Sequence, residues 1–285
     1  MPSLIDLRRR IRSVKNTQQI TKAMKMVSAA KLRRAQDRVI ASRPYTNLLR
    51  SMLSDVAAAA SGVDEIQNEL LAVRPEKNVL LILVTGEKGL AGAFNTNLIK
   101  AAQQFIRSRQ GVNVHLELVG KKGRDFFRRR HDRITGESVG VLANVRYEDA
   151  ARIAAGAMER FRNEEIDAVY VIFNEFKSVI SQKLTESRIL PASVPTATAA
   201  RDYIYEQPPA ELLAKLLPKW VEIAVFQSML ESSAAEHAAR MTAMDAATSN
   251  AAEVIDSLTL YMNRVRQASI TKEIIEVVSG AAAQG

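Results

Sequence analysis

The stretch SSAAEHAARMTAMDAATSNAA, residues 232–252, holds nine alanines and almost no side chain large enough to fill a core. It lies within about 60 residues, from Trp220 to Ser279, that contain no glycine and no proline. Alanine has the highest intrinsic helix propensity, so the stretch reads as helix in spite of having little to pack with. At 1.5 Å per residue such a helix is roughly 90 Å long, against about 30 Å for the width of a small domain. Further along, Met241, Met244, Thr248, Ala251, Ile255, Leu258, Met262, Val265 and Ser269 keep a strict alternation of three and four, the spacing of a coiled-coil seam. A buried methyl contributes only about 0.8 kcal/mol, against about 1.5–3 for a buried leucine. The alanine-rich part is therefore expected to be slim and weakly committed to any one neighbour.

A second long helix is expected at the other end. Residues 3–60 have no glycine, and Pro44 is their only proline. Leu4, Leu7, Ile11 and Val14 follow heptad spacing. The apolar pattern then shifts to Ile20, Met24 and Val27, with Gln18, Gln19 and Thr21 between, which predicts a change of coiled-coil phase. Pro44 is expected to kink the helix or end its first part, and Pro218 to bend the last one.

Between these helices the texture changes. NVLLILVT, 78–85, is a continuous apolar run suited to a strand buried on both faces. VNVHLELVG, 112–120, and DAVYVIFNEF, 167–176, read as further strands, and QKLTESRILP, 182–191, as an antiparallel edge strand. Residues 91–109 and 147–164 read as amphipathic helices, and GRDFFRRR as a short one. Strands alternating with helices indicate an α/β layer with a mostly parallel sheet. The expected organisation is an N-terminal coiled-coil helix over 1–60, an α/β globular domain over 61–209, and a C-terminal coiled-coil helix over 210–285. In outline this is an antiparallel coiled coil of two terminal helices with an inserted Rossmann-like α/β domain.

The 285 residues contain no cysteine and three scattered histidines, His115, His131 and His237. That composition removes disulfides and thiolate metal sites and argues against a histidine-based one. Neither a signal peptide nor a run of about 18 apolar residues is visible, so the chain is expected to be soluble or peripheral to something larger. The net charge is +9, yet residues 1–50 alone carry 13 Lys and Arg against Asp6 and Asp37. Charge polarised at one end points to an oriented partner, either a nucleic acid or an acidic protein surface.

The motifs admit more than one reading. TGEKGLAGAFN, 85–95, follows a strand and opens a helix, where a phosphate could bind. Its spacing, Gly86, Gly89 and Gly92, matches neither dinucleotide fingerprint nor P-loop, so a tight structural turn competes with a nucleotide site. The basic N-terminal helix has enough charge for nucleic acid. It lacks any aromatic residue before Tyr45 on which a base could stack, so a solvated or protein-facing helix competes with that reading. No nucleophile triad, zinc motif or acidic cluster suited to magnesium is found, so no reaction is expected of this chain alone. Near the C-terminus Arg266, Gln267, Thr271 and Glu273 are either a solvated helix face or directional contacts to a surrounding protein.

Four separate blocks, in order along the whole chain, resemble one family. ITKEIIEVVSGAAA (270–283), VKNTQQITKAMKMVSAAKLRRAQ (14–36), GEKGLAGAFNTNL (86–98) and SSAAEHAARMTAMDAATSNA (232–251) are similar to corresponding blocks of the F-type ATP synthase gamma subunit. The resemblance implies a non-catalytic central rotor shaft, present once per complex and without cofactor. Three alpha and three beta subunits would surround it, and epsilon and the membrane c-ring would meet its globular domain. It would sit peripherally at the cytoplasmic face of a bacterial cell membrane, bind no nucleic acid and contain no transmembrane segment. Position by position, Met24 and its neighbours Lys22 and Lys25 would meet the mobile, acidic part of beta. Arg266, Gln267, Thr271 and Glu273 would meet beta's catch loops, and Tyr203, Tyr205 and Glu206 the membrane ring or epsilon. Ala91 stands where the family often has a cysteine, and the cysteine insertion of the chloroplast relatives is missing. Both departures imply a bacterial type without thiol control. The resemblance gives no contact for the basic stretch KKGRDFFRRRHDR, 121–133.

Overall fold

A computed structural model describes residues 3–60, 68–193 and 206–282. Two helices dominate it: α1, Leu4–Ala60, of 57 residues, and α5, Pro209–Ala282, of 74. The chain divides into two compact units, residues 29–240 and residues 1–28 with 241–285. Both long helices run through both units.

The unit of residues 29–240 is built on a five-stranded sheet. Its strands are β1 Asn78–Val84, β2 Asn113–Val119, β3 Ile134–Ser138, β4 Ala168–Phe176 and β5 Gln182–Leu190, in the order β3-β2-β1-β4-β5. The first four are parallel, and β5 lies antiparallel on the β4 edge. Every residue of β1 from Val79 to Val84 is buried, as its unbroken apolar run requires of a central parallel strand. Leu81 faces Leu116 of β2 on one side and Tyr170 of β4 on the other. Helices α2 (Phe94–Ser108), α3 (Lys121–Phe127) and α4 (Tyr147–Arg162) connect the strands. The β3 strand escaped the sequence reading because ITGES has a glycine at its centre and little apolar content. The carboxylate of Glu117 in β2 lies over Gly136, in the space a Cβ would take.

Neither proline interrupts its helix. Pro44 and Pro218 lie inside unbroken helical segments, which corrects the expectation that Pro44 could end the first part of its helix. A proline removes one backbone hydrogen bond. Around Pro44 the loss is offset by buried neighbours, Val39 and Leu49 among them, and by Arg43, which pairs with Glu231 of α5 at 3.2 Å.

Within this unit the alanine-rich part of α5 is the reverse of uncommitted. Residues 228–236 are all buried, so this length of helix is enclosed on every side. Ser232 donates to the carbonyl of Val84 at the end of β1, and Ser233 to that of Leu142. The Glu231 carboxylate accepts from Arg43 of α1, from the backbone N–H of Phe176 in β4 and from Gln227. Small side chains allow the helix backbone to approach the strand ends closely enough for these bonds. Alanine and serine thus serve proximity in this segment, and the expectation of weak commitment holds only further along α5.

In the unit of residues 1–28 with 241–285 the two helices are antiparallel. Thr21 meets Thr248, hydroxyl to hydroxyl at 2.8 Å, and Lys25 meets Asp245 at 2.5 Å. All nine seam residues of α5, Met241 to Ser269, are buried or half-buried. On α1 the buried or half-buried series is Leu4, Leu7, Ile11, Val14, Gln18, Thr21, Lys25 and Ser28, with Met24 beside it. This is an unbroken heptad, so the expected phase change does not occur. Ile20 and Val27, which suggested it, are 60% and 56% exposed. Polar residues occupy the seam instead, and they are satisfied: Thr21 also donates to Gln18 and Thr248 to Met244 along their own helices.

Candidate functional site: the contact faces of the helical pair

The antiparallel register decides where the site residues fall. The two contacts at Thr21 and Lys25, continued at the seam spacing, bring Leu4 level with Val265. Beyond that level α5 continues to Ala282 without α1 beside it. The accessibility follows: every residue from Thr271 to Ser279 is exposed. On this unpaired stretch Ile270, Ile274, Val277 and Val278 form one apolar stripe at helical spacing, from 48% to 72% exposed. Large exposed apolar stripes on a helix signal a partner that covers them.

The polar candidates flank the stripe. Arg266, Gln267, Thr271 and Glu273 are all exposed. Thr271 donates to the Gln267 carbonyl at 2.9 Å, and Ser269 to the Glu273 carboxylate at 3.2 Å. These bonds stay within α5 and leave the guanidinium of Arg266 and the amide of Gln267 open to another molecule. On α1, Lys22 is exposed while Met24 and Lys25 are half-buried. Lys25 is held by Asp245, an ion pair with both side chains substantially in solvent, worth little to stability and easily exchanged for another acidic partner. The two groups are not one cluster. Lys22 and the level of Arg266 lie about 30 Å apart along the pair, at 1.5 Å per residue. Glu206 is exposed in the turn before α5, whereas Tyr203 and Tyr205 lie outside the described residues.

The glycine turn is a different kind of site from the one its motif suggested. Thr85 is buried at the end of β1, and its hydroxyl receives the Gly123 N–H at 2.8 Å. Gly120, at φ +95°, packs so closely that a Cβ would collide with the Thr85 carbonyl. Gly86 donates to Asn95 at 2.8 Å. A Cβ on Gly86 would lie 2.8 Å from the carboxyl carbon of Glu236 on α5. Arg240, one turn on, binds Glu236 and donates to the carbonyls of Lys88 and Gly89, at 3.3 Å each. The mouth of the turn is therefore filled by a protein carboxylate, which repels phosphate. Glu231, Glu236 and Arg240 were missed by the sequence reading. The Glu236–Arg240 spacing of four was visible, but on an exposed helix the same spacing is an ordinary surface pair. Among the described residues no helix is long and apolar enough to cross a membrane, and no group of three potential metal ligands occurs.

A Rossmann-like sheet carried on two long antiparallel helices, with exposed contact faces along the pair, defines a helical scaffold that acts by touching other proteins. A family model described as ATP synthase matches residues 3–284. An ATP synthase gamma chain of Solibacter usitatus is 67% identical, over 99% of both chains, and one of Pelotomaculum thermopropionicum is 50% identical with the same coverage. The chain belongs to the ATP synthase gamma-chain family. Among solved structures, a chain from the central stalk and c-ring of Tetrahymena thermophila mitochondrial ATP synthase has a TM-score of 0.63 at 26% identity, covering 80% of this chain and 99% of that one. A chain of the Euglena gracilis enzyme shares the fold, with a TM-score of 0.68 at 19% identity over 99% and 94%.

Proposed function

We propose that this chain is the central rotor shaft of a proton-translocating F-type ATP synthase, coupling rotation of a membrane ring to conformational change at catalytic sites on beta. The observation that carries the reading is α5 running past its partner helix with an exposed apolar stripe, in a chain similar from end to end to gamma chains. A ring of three alpha and three beta subunits would cover that tip. The chain contributes no catalytic group; it transmits torque, one copy per complex, from the cytoplasmic face of the bacterial membrane. Functionally it divides into the N-terminal helix 1–60, the α/β domain 61–209 and the C-terminal helix 210–285.

In this reading Lys22, Met24 and Lys25 meet the mobile acidic part of beta. The excess positive charge of residues 1–50 guides that encounter, since long-range attraction raises association rates more than affinity. Arg266, Gln267, Thr271 and Glu273 meet beta's catch loops, and Tyr203, Tyr205 and Glu206 the membrane ring or epsilon. Mixing the chain with alpha and beta subunits tests the proposal. One copy is expected to join each hexamer and to change its ATPase turnover, with no turnover from the chain alone. Absence of association overturns it. Met24→Lys adds a charge at the half-buried Met24 position and is expected to lower ATP yield per proton without unfolding the chain. Unchanged coupling, measured in vesicles, removes the role given to Met24.

A further inference from the structure

Within the unit of residues 29–240, α1, α5 and the loop after the Val141–Ala143 turn enclose a cleft of about 340 Å³. That lies at the small end of the range for small-molecule sites. Its polar lining is Lys31, Arg34 and Arg38 from α1, Asn144 from the loop, and Ser233 and His237 from α5; none of the lining residues is acidic. The three cations stand at spacings of three and four on α1, so they project from one side of the helix. Arg38 is anchored, donating to the Val145 carbonyl and to Asn144. Lys31 and Arg34 have no carboxylate or hydrogen-bond partner among the described residues. The nearest carboxylate on α5, Glu236, is already taken by Arg240.

His237 lines the same cleft. Burial first, then Arg240 and Lys31, hold its pKa down at about 4. Its Nδ1 faces Arg240 at 3.4 Å, so it accepts from that guanidinium and keeps its other ring nitrogen as a donor. The charged groups around it are Lys31, Arg34 and Arg38 on α1 and Glu236 and Arg240 on α5; the loop 143–145 contributes none. Three exposed cations on one side of a helix, one of them an anchored guanidinium, beside neutral donors and without an acidic residue in the lining, are the chemistry of a phosphate site.

We propose that this cleft is an anion site for a phosphoryl dianion, held by Lys31, Arg34 and Arg38 with His237 as a neutral donor. It is independent of the contact faces assigned to beta, and its failure would leave that assignment untouched. Two sources share the chemistry, free inorganic phosphate and the terminal groups of a diphosphate or nucleotide. The test is histidine-resolved NMR on the full chain. Inorganic phosphate, pyrophosphate and ATP are titrated separately, with chloride at matched ionic strength and a poly-glutamate peptide as further arms. Saturable movement of the His237 ring signals, with a raised His237 pKa and with His115 and His131 unmoved, is expected from a phosphoryl anion. Which of the three saturates at lowest concentration names the source. Lys31→Gln combined with Arg34→Gln is expected to weaken the binding at least tenfold while leaving the amide spectrum folded. Non-saturating movement, equal movement of all three histidines, an unaffected double variant, or a response to poly-glutamate alone each overturns the proposal.

Discussion

Residues 29–240 and the unit of residues 1–28 with 241–285 use the same two helices in opposite ways. In the first unit α5 is buried all round over residues 228–236 and carries its charges inward, with Glu231, Glu236 and Arg240 each less than a tenth exposed. In the second, its charges point outward, its seam is narrow, and past Val265 its apolar side chains face solvent. The first unit satisfies its own buried groups. The second is complete only along the seam, and its far end presents surface that another protein must cover. The helix α5 passes from one regime to the other without a break.

The contrast is broken most sharply at the anchor. Glu236→Ala leaves the Arg240 guanidinium buried without its carboxylate, and removing one partner of a buried ion pair costs about 3–5 kcal/mol. The urea midpoint is expected to fall accordingly. Glu236→Gln, which keeps the shape and an acceptor for Arg240, is expected to lose less. If Glu236→Ala leaves the midpoint in place, the pair does not anchor α5 to the glycine turn.

A second expectation separates the units by pH. His237 has a folded pKa of about 4 against an ordinary 6.5. Between these values the unfolded chain binds a proton that the folded chain refuses, so stability is full above pH 6.5 and declines as pH falls towards 4. By pH 4 the loss is on the order of 3 kcal/mol, at about 1.4 kcal/mol per pKa unit. It is read as the difference between wild type and His237→Gln in denaturant titrations across that window, which cancels the common effect of the carboxylates. A difference that does not change with pH refutes it.

Periodicity carried much of the architecture. The α5 seam, the four strands other than β3 and the antiparallel edge were legible because each repeats a spacing over many residues. Where the reading failed, it followed apolarity instead of position. Ile20 and Val27 drew the α1 seam out of phase, when Thr21 and Lys25 hold the heptad through partners on α5. Likewise the small alanines at 234, 235 and 238 lie buried where Ser232 meets the end of β1 and Ser233 the Val141–Ala143 turn, a value that side-chain size alone does not show. The proposed site residues came from resemblance alone. No local pattern distinguishes Arg266 or Gln267, both exposed, from a solvated face.

The smallest effect on the isolated chain lies at the tip. Ile274 and Val278 are 57% and 62% exposed, so little area leaves water when the chain folds. Ile274→Ser with Val278→Ser is expected to change unfolding free energy by less than about 0.5 kcal/mol per site, as exposed positions generally do. The same pair of changes is expected to weaken association with the alpha–beta hexamer, where the stripe would be covered and each side chain contributes about 1.5–3 kcal/mol on full burial. Stability and assembly thus separate at the tip and are expected to fall together at Glu236, where loss of the anchor weakens the fold that assembly needs. A tip variant that unfolds the isolated chain, or one that assembles as tightly as wild type, would mean that the stripe is either packed within the chain or left bare in the complex, and the distinction between anchored and free lengths of α5 would not hold.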